Sequence, residues 1–468
     1  MGQLKLAVVS DMHYYSRTLG DTGSAYEARS GSDMKCLAET GGICDAAFDI
    51  IAKSGCDAVL MVGDLTNNGE KASHTEFELK LRKLAESIPV YVVYATHDWC
   101  CDGNAASYDG DMKLYGVETL TPAQLRELYA PYGANGALSE YVCENGSSSY
   151  CALIKPGFRL LGLNDDTNGH GKGGFSEEHL RWIERMIREA KEAGDEIIAM
   201  EHHLIMAPFA RLINKSMMLG DADDVVRAYA GAGLEFVFTG HSHMQRVTEK
   251  DGVYQINIGS LTGWPAPITY FTLDAEKAEM HVEYLESFEF DGAVRSSEYI
   301  RDHTLHIFTG IVDALSKGGP ELKKTLAASG VNLGSVPVPA FILKGAAKMI
   351  TGMKVGSAAR LINCLTFGKG VDKKAARAIA DDSLYERIKE IFLNLWSGTP
   401  VAYGDDEPFS KVVRSVASLP RRVVKALPVK KLHGDGIMNA LSDIEKTAAL
   451  LVKPNFDAKD LVIYRNKK

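Results

Sequence analysis

Residues 4–13 read LKLAVVSDMH. This apolar run delivers Asp11 and His13, a carboxylate and an imidazole two residues apart, which together offer half the ligands a borderline metal ion needs. A lone Asp-x-His pair arises readily by chance. Four later segments repeat the arrangement. Ala58–Val62 ends in Gly63-Asp64, and Val90–Tyr94 ends in Ala95-Thr96-His97-Asp98. Glu196–Met200 ends in Glu201-His202-His203, and Leu234–Thr239 ends in Gly240-His241-Ser242-His243. Five apolar runs thus end in metal-ligating residue types, at the strand ends where open α/β sheets carry their chemistry. Asp64 is the middle carboxylate of the series, and a carboxylate has the two oxygens that bridging two ions requires.

The elements that must position these residues are legible around them. Leu4–Ser10 has no polar alternation and reads as a strand buried on both faces. Tyr14–Gly42, with Arg17 and Asp21, is polar and long for a connection between strand and helix, so it is expected at the substrate mouth. Residues 99–120 form a second insertion, joined to His97-Asp98 and expected over the site. Cys44–Ser54 reads as a helix. Ser73-His74-Thr75-Glu76 has capping-box spacing for a helix running to Glu86, and Thr121-Pro122-Ala123-Gln124 has it for Leu125–Tyr129. Pro156-Gly157 predicts a hairpin between Ser149–Lys155 and Phe158–Leu163. Ser176 caps an amphipathic helix over His179–Glu192. Gly252–Ile258, Ile268–Leu273 and Met280–Leu285 read as further strands.

The order and spacing of the strand-end residues resemble the calcineurin-like metallophosphoesterase superfamily. Its pattern is Asp-x-His, Gly-Asp, Gly-Asn-His-Asp/Glu, a strand-end His and Gly-His-x-His, and all five blocks fall between residues 4 and 285. The resemblance implies an α/β fold, a two-sheet β-sandwich flanked by helices (αββα), over residues 1–290. Residues 291–468 are expected to form a mostly helical C-terminal domain or cap, with Leu461–Tyr464 as a last strand on an exposed sheet edge. The implied activity is metal-dependent hydrolysis of a small phosphorylated substrate. A phosphodiester or phosphomonoester, such as a nucleotide or lipid head group, would be attacked by a hydroxide bridging two ions.

By the same resemblance Asp11, His13, Asp64 and His243 hold the first ion, and Asp64, Thr96, His202 and His241 hold the second. His203 stays open as the alternative ligand or as a phosphate contact. His97 matches the imidazole that lies by the phosphate and protonates the leaving alkoxide, with Asp98 fixing its tautomer. Thr96 departs from the family's Asn. Its hydroxyl is shorter than an amide carbonyl, which predicts a looser second metal site. Leu65-Thr66 follows Asp64 where purple acid phosphatases carry a tyrosine, so a tyrosinate-bound ferric ion is not expected. Mixed nitrogen and oxygen donors suit divalent or mixed-valence Mn, Fe, Zn, Co or Ni alike. Two other readings stay open: a non-catalytic scaffold of the same fold, favoured by Thr96 alone, and a two-metal nuclease.

Length and charge bound the rest. At 468 residues the chain has room for a catalytic unit and an appendage. Apolar residues at 46% describe a globular chain, and no apolar run approaches the ~18 residues of a membrane span. The first strand begins so early that no leader peptide is expected. Eight cysteines without a Cys-x-x-Cys pair suit a reduced, cytoplasmic compartment. Cys36, Cys56, Cys151 and Cys364 read as buried small hydrophobes. Residues 1–285 hold 24 Lys+Arg against 41 Asp+Glu, whereas residues 286–468 hold 28 against 20, which marks a boundary near 286–292. The acidic catalytic half argues against long nucleic acids as partners. Lys344, Lys348, Lys354 and Arg360 lie on a basic amphipathic stretch, read first as a solvated helix face and second as a membrane-surface or anionic-substrate contact. His74, His170, His179, His281, His303, His306 and His433 lack the strand-end pattern and read as ordinary.

Overall fold

Alternate residues of Leu4–Val9 (β1) face two different apolar layers. Leu4, Leu6 and Val8 join the core between two sheets, while Ala7 and Val9 pack under helices. This is why the segment shows no polar alternation. The computed structural model describes residues 2–165, 173–328, 340–368, 370–397, 404, 406–426, 435–452 and 458–465. His170 and His433 lie outside the described residues.

β1 is followed by Ala58–Val62 (β2) and Val90–Val93 (β3), all parallel, with Val8 opposite Leu60. A small hairpin, Ala106–Asp109 (β4) with Met112–Tyr115 (β5), occupies the second insertion. The second sheet begins with Ser139–Val142 (β6), Ser148–Lys155 (β7) and Phe158–Gly162 (β8). It continues with Glu196–Met200 (β9), Phe236–Thr239 (β10), Arg246–Lys250 (β11) and Val253–Asn257 (β12). Its order is β11-β12-β10-β9-β8-β7-β6, and β8, β9, β10 and β12 run parallel. Pro267–Leu273 (β13) and Lys277–Tyr284 (β14) return to the first sheet, with Leu6 opposite Phe271. Ser287–Phe290 (β15) and Ala293–Ser296 (β16) form a separate hairpin. Asp460–Tyr464 (β17) pairs antiparallel with β14, so the first sheet reads β17-β14-β13-β1-β2-β3.

The two sheets share an apolar core in which Phe271 meets Phe236 and Phe238 edge-on, at centroid distances of 5.3 and 5.1 Å. Helices Thr40–Ala52 and Lys71–Ala85 cover the outer face of the first sheet. Helices Glu177–Glu192 and Ala222–Ala232 cover that of the second. The result is the αββα layering expected for the family resemblance.

By internal contacts the chain divides into two units. One comprises residues 1–208, 217–304 and 458–468, and holds both sheets. The other comprises residues 209–216 and 305–457; its described residues are mostly helical, around a small core of Val355, Ala359, Val371, Ala375, Phe409 and Val412. Among the described residues no helix is long and apolar enough to cross a membrane.

Several local expectations change. The helix expected to start at Ser73 begins at Lys71 with Glu70 at its N-cap, and Ser73 Oγ instead donates to Glu70 Oε2 at 3.1 Å. The predicted capping box at Thr121 forms in full, with Gln124 closing back on the Thr121 amide. Cys364 is exposed and Cys56 half-buried, whereas Cys36 and Cys151 are buried as expected.

Candidate metal centre

Asp11 and His13 follow β1, Asp64 follows β2, and Thr96 and His97 follow β3. His202 and His203 follow β9, and His241 and His243 follow β10. All leave the carboxyl ends of parallel strands, so the two parallel arrays aim their ends at one place. Asp11, His13, Asp64, His241 and His243 all have left-handed backbones, with φ of 52°, 43°, 47°, 64° and 57°. They are half of the ten non-glycine residues with positive φ among the described residues. Strain of this kind, about 1–3 kcal/mol each, persists where the surroundings hold it and clusters at functional sites.

Gly63 and Gly240 make the close approach possible. A Cβ on Gly63, at φ 79°, would lie 2.6 Å from His202 Nδ1. One on Gly240 would lie 2.1 Å from Ser10 Oγ and 2.6 Å from Asp11 Oδ2.

The donors fall into three groups: Asp11, His13 and His243; Asp64, His202 and His241; and His13, Asp64 and His97. His13 Nε2 is 3.1 Å from His243 Nε2 and 3.6 Å from Asp11 Oδ1, and His243 Nε2 is 3.2 Å from Asp11 Oδ1. Adjacent donors around an ion with bonds of ~2.1 Å stand about 3.0–3.4 Å apart, and two of the three sides of this triangle fall in that range. Asp64 Oδ2 lies 3.1 Å from His202 Nε2 and 3.8 Å from His13 Nε2, between the two groups.

Hydrogen bonds fix which atoms face inward. His202 Nδ1 donates to the Val62 carbonyl at 2.8 Å, leaving Nε2 toward Asp64. Asp64 Oδ1 and His202 Nε2 are buried without a hydrogen-bond partner, as donors meant for a cation would be. Asp11 is held by Ser10 Oγ at 2.7 Å and the His241 amide at 3.1 Å.

Electrostatics agrees with the donor chemistry. Burial opposes ionisation of Asp11 and Asp64, yet neighbouring imidazoles hold both carboxyls well below the usual range. Burial and the Lys35 charge push His13 down to about 3, and burial with the neighbouring histidines lowers His241. Burial would lower His202 too, but the Asp64 carboxylate lifts it to about 10. Ionised carboxylates with neutral imidazoles are the state that binds a metal, and binding would release the remaining proton from His202.

Thr96 is buried at the end of β3, its carbonyl accepting from the Cys101 amide at 3.1 Å. His97 lies 5.1 Å from the His13 ring, edge-on. Its Nδ1 donates to the Asn67 carbonyl at 2.6 Å, so Asn67 rather than Asp98 fixes its tautomer. Asp98 is turned away to lock the loop: it accepts from the amides of Ala95 and Thr66, both at 2.8 Å. Burial and the nearby Asp64 charge raise it to about 7. His203 is not in any of the three donor groups; its Nδ1 and amide are bound to Asp165, at 2.8 and 2.5 Å. Asp165, Asn67 and Ser10 escape a reading of the sequence, since each acts through a hydrogen bond to a neighbour rather than as a strand-end ligand type.

The family profile described as calcineurin-like phosphoesterase matches residues 4–245. Over 147 residues the chain is 24% identical to a probable glycerophosphodiester phosphodiesterase GpdQ of Arcobacter nitrofigilis, which covers 31% of this chain. The chain spans about two fifths of that relative, 41% of its length. Among solved structures it is similar to a dimetal phosphatase from Danio rerio at 12% identity and a TM-score of 0.43, over 60% of this chain and 96% of that one. A putative 5′-nucleotidase from Staphylococcus aureus matches at 11% identity and a TM-score of 0.36, over 76% of this chain and 60% of that one.

Proposed function

Because the chain belongs to the calcineurin-like phosphoesterase family, we propose that it hydrolyses a small phosphate ester at a binuclear centre. The donors are Asp11, His13, Asp64 and His243 on one side, and Asp64, Thr96, His202 and His241 on the other. The observation that carries this reading is the position of Asp64. Its Oδ2 stands 3.8 Å from His13 Nε2 and 3.1 Å from His202 Nε2, and the residue belongs to two of the three donor groups, one with His202 and His241 and one with His13 and His97. When bound, two divalent ions supply a nucleophile at neutral pH and offset the phosphoryl charge.

The chain's own residues do the rest. His202 is aimed by the Val62 carbonyl and Asp11 by Ser10, so neither has to reorganise to receive an ion. With Nδ1 tied to Asn67, His97 has Nε2 left for the substrate. From there it can give a proton to the leaving oxygen. Asp165 keeps the His203 ring beside His241, 4.6 Å between centroids, where it can steady that ligand or meet a phosphate oxygen. The name of the Arcobacter relative favours a phosphodiester.

Metal-stripped protein reloaded with Mn should hydrolyse an aryl phosphodiester or the matching monoester, and the ratio tells which class is preferred. His97→Ala should lower kcat roughly a hundredfold or more with metal content unchanged. Absence of turnover with any metal would leave a non-catalytic member of the family, and Thr96→Asn would then be the first reversion to make.

A further inference from the structure

Helix Val355–Leu365, in the mostly helical unit, is apolar over more of its surface than its core uses. Val355, Ala358 and Ala359 are buried, and Ile362 packs with them against Val371, Ala375, Phe409 and Val412. Leu361 and Leu365, one turn apart, stand outside that core, 43% and 73% exposed. Phe367 follows at 93%, and among the described residues no large apolar side chain is more exposed. A single exposed leucine needs no explanation, but three large apolar side chains this close together form a patch.

The patch is held in a fixed shape. Asn363 Oδ1 accepts from the amides of Gly370 and Val371 at 3.0 and 2.9 Å, and its Nδ2 donates to the Val371 carbonyl at 3.2 Å. The Gly368 amide donates to the Asn363 carbonyl at 2.6 Å, and Phe367 sits at φ 52°, in the left-handed region. That backbone is costly for a bulky residue, and Phe367 has almost no packing within this chain to offset it.

Cations surround the tip. Residues 354–378 hold six Lys+Arg against one Asp+Glu. Lys373 lies over the turn, where a Cβ on Gly368 would be 3.0 Å from its Nζ. Arg360, Lys373, Lys374 and Arg377 are exposed, and none of them forms an ion pair among the described residues. The acid, Asp372, caps helix Lys373–Ala378, its Oδ1 accepting from the Ala375 amide at 2.9 Å.

Three side chains cover far less than the roughly 1,200 Å² of a stable protein interface, and a second copy would bring like charges together. An apolar tip among cations does match the boundary between anionic head groups and acyl chains. We propose that this tip is a membrane-contact site for an anionic lipid surface. Leu365 and Phe367 enter the acyl boundary, and Arg360, Lys373 and Lys374 meet lipid phosphates. The contact is independent of the chemistry at the metal centre.

The test is sedimentation of the full chain with vesicles of phosphatidylcholine alone, and with about a third phosphatidylglycerol. The chain should bind the anionic vesicles and not the neutral ones, and binding should weaken roughly tenfold or more from low to high salt. Phe367→Ser should weaken it roughly fivefold, and Lys373→Gln with Lys374→Gln roughly tenfold or more. All three positions are exposed, so far-ultraviolet circular dichroism should not change. With Phe367→Trp, brominated lipid should quench the added indole, read against the four tryptophans of the unaltered protein. Absence of binding to anionic vesicles would overturn the assignment. So would binding that Phe367→Ser leaves unchanged, or an added indole that bromine does not reach. Self-association lost in Phe367→Ser without vesicle binding, read by sedimentation equilibrium, would assign the tip to a second copy instead.

Discussion

His202 and His203 are adjacent buried imidazoles at one strand end, yet they are held in opposite ways. A backbone carbonyl takes His202 Nδ1, whereas a buried carboxylate takes His203 Nδ1. One ring is left with Nε2 toward Asp64 and the other is anchored to Asp165. The same economy of atoms governs Asp33, which burial would keep protonated but which Arg29 and Lys35 hold well below the usual carboxylate range. A carboxyl depressed in the folded state contributes stability in full above its unfolded value, and loses it as pH falls through the folded one. Asp33→Asn should therefore cost about 3 kcal/mol at neutral pH, as for one partner removed from a buried pair. The gap from the unaltered protein should narrow below about pH 4, as measured by denaturant unfolding across pH. A constant gap down to strongly acid pH would count against the ion pair as its source. At this scale the strand-end ligand types are legible because they interrupt apolar runs. Asn67 and Asp165 are not, because a carbonyl or a carboxylate in a loop declares nothing until the fold supplies its partner.

At the scale of elements, the site is a set of turns more than a set of strands. β1, β2 and β10 each leave the sheet through left-handed residues, and Gly63 and Gly240 clear the space into which the next element's donor projects. Gly240→Ala would drive its Cβ into Ser10 Oγ and Asp11 Oδ2. It should reduce bound Mn by about one ion per chain and cost about 1–3 kcal/mol, read by metal analysis and thermal unfolding. Ser10→Ala in the same chain should recover part of the stability, since it removes the nearer obstacle. Full metal content in Gly240→Ala would show that the turn yields. Turn chemistry also explains what the sequence hides. Asp291-Gly292, with φ of 49° and 71°, closes the β15–β16 hairpin where the charge break alone suggested a boundary. The helix that the Ser73 spacing placed two residues later starts at Lys71, with Glu70 at the N-cap position. The Thr121 box was readable because both of its partners are side chains of the right type at the right separation.

For the molecule as a whole, the first sheet is completed by a strand that begins 176 residues beyond the end of the β14 it joins, at Asp460 against Tyr284. Just beyond β17, Arg465 is 4% exposed at its side chain and is bound three ways. It meets Glu196 Oε2 at 2.7 Å at the start of β9, Glu235 Oε2 at 2.6 Å before β10, and the Asp274 carbonyl at 2.7 Å after β13. One guanidinium thus ties the end of the first sheet to the amino ends of two strands whose carboxyl ends deliver His202 and His241. Its charged form is favoured further by both carboxylates, against the pull of burial. Arg465→Met keeps the packing volume and removes the charge, leaving Glu196 and Glu235 facing each other without it. The loss should be about 3–5 kcal/mol, seen as a lower midpoint in denaturant with an unchanged slope. Lowering the pH toward the carboxylate range should recover part of it, because protonating the two glutamates relieves the repulsion that the substitution creates. A variant as stable as the unaltered protein would mean that the β14–β17 ladder holds the chain end without help from the ion pairs.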